Sequence, residues 1–304
     1  MTGAISMGVQ FWWFYDVIAA AVILVCVFLA VRKRLMKAAI TLTGLVLAAI
    51  IAFSASGPVA NLFYGQSVRS SNIKKFDLSL ESADFIEDLA NYIDTLGYNV
   101  RIQNDSLKAA FKDEKDPEGS IYKYLNNINN REVDEENVFI NKLHEGYATV
   151  ISNYIAKKTN EYVAESAAEV IRKHPEKAYE FAELLADEDT KRPASQYITE
   201  NFTKKPYVTQ IRLIVFLIVF VVCALIAIAI GVSSEKNSTP IEGFVANSIS
   251  GILGIAMGVI FIIAIAAMIR LYVIMGSNKM LFFNHEAIES TYVFKYFYDI
   301  VSGF

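Results

Sequence analysis

Four apolar stretches, arranged as two pairs around a long charged middle, constrain this chain more than any short motif. They run from Val17 to Val31, Ala38 to Phe53, Leu213 to Val232 and Ile249 to Ile269. A helix that crosses the ~30 Å hydrocarbon core of a bilayer needs roughly 20 mostly apolar residues, and all four come close. The pattern predicts an all-α membrane protein, with four transmembrane helices and a helical soluble domain inserted between helices 2 and 3. The expected boundaries are a first transmembrane hairpin over 1–64, the inserted domain over 65–210, a second hairpin over 211–275 and an amphipathic tail over 276–304.

Charge separates the same regions. Of the 304 residues, 54% are hydrophobic, yet residues 65–210 carry 26 acidic against 19 basic side chains. An acidic domain lacks the basic clusters that neutralise phosphates, which excludes a nucleic-acid partner. Cys26 and Cys223 both fall in apolar stretches, so the sequence offers no disulfide framework. Residues 1–15 contain no Lys or Arg, unlike a cleavable signal segment. Instead Phe11, Trp12, Trp13, Phe14 and Tyr15 form an aromatic belt ahead of the first span, a composition that favours the headgroup level.

Arg32, Lys33, Arg34 and Lys37 lie between the first two spans and form the densest basic cluster in any short loop. The positive-inside bias places that loop in the cytoplasm. Both termini and the inserted domain are then expected outside the cytoplasm, with the Ser233–Gly243 connection inside.

Within the insert, Phe85, Leu89, Tyr92 and Leu96 recur at helical spacing, as do Ile121, Tyr124, Leu125 and Ile128. A longer helix is expected from near Glu135, continuing through Val163, Ala167 and Ile171 to the His174-Pro175 break. Pro175 and Pro193 suit first-turn positions. The sum is a bundle of about five helices.

Candidate sites are few. Ser250, Gly254 and Gly258 repeat every four residues, with Gly251 and Asn247 alongside. Small residues at this spacing let helix backbones approach closely in lipid, as intramolecular packing, as an oligomer seam or as the lining of a pore. Arg270 interrupts an apolar run, but it stands about 31 Å along the helix from Ile249 at ~1.5 Å per residue. That is interface depth, where an Arg snorkels; an ion pair with Asp16 at the start of the first span is the sharper expectation. Thr41, Thr43, Ser54 and Ser56 add hydroxyls to helix two, which can bond back to their own helix. His144-Glu145 and His285-Glu286 open like a zinc-binding helix but lack the second His. No nucleotide or hydrolase motif is present. The expectation is therefore no enzyme, no metal and no cofactor. Acidic runs at Asp113–Glu118, Asp134–Glu136 and Asp187–Asp189 read first as helix ends, and second as a surface for a basic partner or a divalent cation.

Several of these residues carry a resemblance. Tyr15-Asp16-Val17-Ile18 before the first apolar run, Arg32-Lys33-Arg34 leading to Gly44, and the exit Ser56-Gly57-Pro58-Val59-Ala60 with Tyr64 resemble the colicin V production protein family. So do Asn247, Gly251, Gly254 and Gly258, and the closing Ser290-Thr291-Tyr292-Val293-Phe294-Lys295-Tyr296. The resemblance covers ~14–64 and ~210–298 and leaves out the insert; Ala30 and Arg34 stand where the family carries glycine. It implies a multi-pass protein of the bacterial inner membrane linked to toxin production or secretion and to envelope homeostasis, with no known reaction. The expected partners are the bilayer and a second copy or an envelope protein, with the insert as an interaction platform. The alternative expectation is a small channel or transporter whose glycine-rich fourth helix lines the pathway.

Overall fold

The computed structural model describes residues 11–32, 35–113, 115–187, 189–233, 243–276 and 285–304. These residues are helical, with no strand among them. The chain divides into two compact units. One comprises Met1–Tyr64 with Val208–Phe304, and the other Gly65–Tyr207.

The first unit holds four helices long and apolar enough to cross a membrane. They are α1 (Trp13–Arg32), α2 (Leu35–Phe63), α11 (Lys204–Ser233) and α12 (Phe244–Met275), followed by the short α13 (His285–Glu289) and α14 (Phe294–Ser302). Small residues make the helix contacts. A β-carbon on Gly254 would stand 2.6 Å from the Val27 Cα, and one on Gly258 would stand 3.0 Å from the Ile23 Cα. As the number rises on α12 it falls on α1, so the two helices pack antiparallel. Gly44 meets Ala227 and Thr41 meets Gly231, which sets α2 antiparallel to α11 in the same way. Large side chains point outward instead: Leu24, Phe28, Leu62 and Leu225 are each more than half exposed.

Eight α-helices build the central unit: α3 (Arg69–Leu80), α4 (Phe85–Thr95), α5 (Asn104–Phe111), α6 (Pro117–Asn129), α7 (Glu136–Ala156), α8 (Glu161–Lys173), α9 (Glu176–Leu185) and α10 (Arg192–Tyr197). That exceeds the expected five, and the expected long helix is two. The Asn160 side chain accepts from the Val163 N–H at 3.1 Å and starts α8 afresh. Such local side-chain bonds compete with helix continuation and leave no trace in apolar periodicity. Asp84 and Asp116 cap α4 and α6 in the same manner, and Pro117 takes the first turn of α6. The core is aromatic: Phe76, Phe139, Tyr147, Tyr154, Phe181 and Phe202 are all almost wholly buried. π-helical turns at Tyr64–Val68 and Ile198–Thr203 lie at the two ends of this segment of chain.

Candidate functional site

The expected Asp16–Arg270 pair does not form. Each residue holds a different end of α14. Val293, at the N-cap of that helix, offers no side-chain acceptor. Asp16 supplies one from another helix. Its carboxylate accepts the backbone N–H groups of Tyr292 at 2.8 Å, Val293 at 3.0 Å and Phe294 at 2.8 Å. At the opposite end, Arg270 Nη2 donates to the Ser302 carbonyl at 3.3 Å, with the guanidinium 5.7 Å from the Tyr298 ring centre. An anion at the N-terminus and a cation at the C-terminus both suit the helix dipole. The sequence places the two charges correctly at one end of the bundle, but backbone amides compete for the carboxylate. A nine-residue helix separates the two groups.

The residues around α14 complete the clamp. Thr291 Oγ1 accepts from the Lys295 N–H at 2.8 Å. Phe294 stacks on Tyr15 at 5.3 Å, and Tyr292 meets Trp12 edge-on at 5.1 Å. The closing Thr-x-x-Phe pattern therefore has a physical reading: the hydroxyl caps the helix and the ring anchors it to α1. Beyond α14, the Phe304 ring lies 5.3 Å from Phe53 and 5.1 Å from Phe216, between α2 and α11. The Arg212 guanidinium sits over both Phe53 and Phe304, at 5.3 Å and 4.8 Å. Its Nε reaches the Ser56 hydroxyl at 3.5 Å. Arg212, directly ahead of the apolar run that begins at Leu213, belongs to this site without any signal in the sequence. An Arg one residue ahead of an apolar run, with aromatic residues elsewhere in the chain, gives no pairing signal.

The remaining predicted residues are placed as follows. Ser250 and the glycines Gly254 and Gly258 are buried, and both of these glycines face the α1 backbone; Gly251 approaches Val31. Arg32 lies over the Phe28 ring at 5.1 Å, and Lys37 begins α2. Lys33 and Arg34 lie outside the described residues, as do the greater part of the Ser233–Gly243 connection and Phe282 and Phe283. Thr41 and Thr43 donate back to the Lys37 and Ala39 carbonyls, and Ser56 to that of Phe53.

In the central unit the ionisable groups pair among themselves. His144 Nε2 lies 2.7 Å from Glu118, which also accepts from Tyr179 at 3.2 Å, and Tyr179 meets the buried Tyr147 hydroxyl at 3.1 Å. The hydrogen bond to His144 holds the Glu118 carboxyl below the usual range, against the opposing effect of burial. Asp134 joins Lys142 and Tyr98; burial first, then the bond to Asp134, pushes the Tyr98 hydroxyl up to about 12. Arg172 bridges Glu145 and Glu165. The acidic runs are used locally: Asp116 caps α6, Asp113 accepts from Ser120, and Asp187 accepts from the Asp189 N–H. No group of three or more His, Cys, Asp or Glu side chains suited to a metal occurs among the described residues. An open cleft of about 630 Å³ lies between α4 and α7, lined by Asp88, Asn91, Tyr92, Val150, Asn153 and Lys157, among others.

No family model, no curated protein and no solved structure matches the chain.

Proposed function

We propose that this is a non-enzymatic, multi-pass protein of the bacterial inner membrane. In this reading it supports peptide-toxin secretion or envelope homeostasis, as the resemblance to the colicin V production family implies. The central unit is a soluble domain inserted between the second and third spans, on the extracytoplasmic side, and it serves as an interaction platform. The observation that carries the reading is the contrast between carboxylates committed to neighbours, such as Glu118, Asp134 and Glu145, and an open cleft between α4 and α7. Glu118, Asp134 and Glu145 are each committed to a neighbour, a structural use of these carboxylates that does not suit acid–base work. The cleft between α4 and α7 instead presents amides and hydroxyls beside Val150, Ala156, Asp88 and Lys157, a mixed surface that suits recognition rather than reaction.

The conduit reading has less support, because the space beside Gly254 and Gly258 is filled by α1. The test compares cells lacking the protein after complementation with wild type or with an Asn91→Trp/Asn153→Trp variant that fills the cleft. The variant is expected to be inserted normally and to fail in restoring toxin release or envelope integrity. Full complementation would sink the platform reading. Purified protein in proteoliposomes is expected to pass no ions above the empty-vesicle rate. A flux lost in Gly254→Leu would put the conduit in its place. Impermeant thiol labelling of an Asp105→Cys variant in intact cells checks the side of the membrane.

A further inference from the structure

We propose that Arg212 and Arg270 hold the phosphate of an anionic phospholipid at the end of the helical bundle where α14 lies. The argument stands on the apolar unit alone, apart from the platform reading. The antiparallel pairings put the start of α1, the end of α2, the start of α11 and the end of α12 at one end. Arg212 directly precedes the apolar run of α11. Arg270 stands five residues before Met275, the last residue of α12. At ~1.5 Å per residue that is within ~10 Å of the helix end, the level of lipid headgroups. The tail joins the two arginines: Arg270 binds the Ser302 carbonyl and Arg212 packs on the Phe304 ring.

Neither guanidinium meets a carboxylate among the described residues. Of the acids at this end of the bundle, Asp16 spends both oxygens on the amides of residues 292–294, and Asp299 of α14 forms no ion pair with either arginine. Arg212 has one long bond to Ser56 and two ring faces, which leaves its terminal N–H groups without a protein acceptor. Arg270 makes one carbonyl bond, and its Nε is buried without a partner. A guanidinium nitrogen buried without an acceptor, as Arg270 Nε is, is costly. The planar donor fork of Arg matches the two free oxygens of a phosphodiester, and such charge-assisted pairs are the strong ones. The aromatic rings fix the Arg212 fork in place before any ligand arrives, which lowers the entropy lost on binding. A phosphate could come from a lipid headgroup or from solution; the half-exposed setting among outward apolar side chains favours the lipid.

The test uses the full chain in neutral detergent, with melting followed as phosphatidylglycerol or phosphatidylcholine is added to the micelles. Phosphatidylglycerol is expected to raise the melting temperature, and phosphatidylcholine to leave it unchanged. Arg212→Gln should weaken the phosphatidylglycerol response by about tenfold in lipid concentration, and Arg212→Lys should weaken it less. Native mass spectrometry of Arg212→Gln and of Arg212→Gln/Arg270→Gln, on samples whose helical circular dichroism is intact, should show the bound phosphatidylglycerol diminished and then absent. Equal responses to the two lipids, an undiminished response in Arg212→Gln, or the same shift from glycerol phosphate alone would each overturn the proposal.

Discussion

The two units solve the packing problem in opposite ways. In the central unit the large side chains are inside: Phe139, Tyr147 and Phe181 are fully buried, and charged groups face out. In the apolar unit the buried positions of α1 and α2 are mostly alanine, with Tyr15, Leu45, Thr41 and Ser56, while Leu24, Phe28, Ile50 and Phe53 face out. Water drives the first arrangement, because every large apolar group removed from it is a gain. Lipid tails are as apolar as leucine, so the second is driven by close backbone approach between small residues. The difference teaches that the two units are built on opposite packing rules, large side chains inward in one and outward in the other.

Substitution can break this contrast. Phe181→Ala should destabilise the central unit by about 3–5 kcal/mol, whereas Leu24→Ala on the outward face of α1 should change little. Denaturant titration of the full protein in detergent checks both, and equal effects would erase the distinction. Next in size, Gly254→Leu drives a side chain into Val27 and should cost roughly 1–3 kcal/mol or more, read as a lower melting temperature. The same change at Gly65, where a β-carbon meets open space, should cost less.

Smaller effects sharpen the comparison at single bonds. Asp16→Asn removes the charge that caps α14 and should cost about 1 kcal/mol. Faster amide exchange confined to residues 292–302 is the expected signature. In the central unit, the lowered Glu118 carboxyl favours the folded state above its unfolded value of ~4.3. That contribution fades as pH falls through the folded value. Tyr98 acts in the reverse direction. Its raised hydroxyl contributes fully below the unfolded value of ~10 and is lost as pH rises toward about 12. Stability measured against pH should fall at both extremes, and Tyr98→Phe should flatten the alkaline side. The exposed bridge from Arg172 to Glu165 should contribute no more than ~1 kcal/mol.

The four long helices were legible because apolar length is a coarse signal that tolerates errors at the ends. The glycine row on α12 was legible as a contact face, and its partner α1 was not, since any of three helices could have met it. Helices α4 and α6 were legible in apolar spacing, whereas α8 was hidden as a separate helix because Asn160 restarts the chain through one side-chain hydrogen bond. Asp16 and Arg270 were visible as charges at a membrane boundary. What escaped was that the backbone of residues 292–294 and 302 would be their partner, since amides and carbonyls have no letter of their own.

The hold of Asp16 on residues 292–294 has a consequence for biosynthesis. The first span leaves the ribosome with a carboxylate whose three donors are made almost 280 residues later. Until those donors are made, that charge must be tolerated by water or headgroups, and this end of the bundle cannot close.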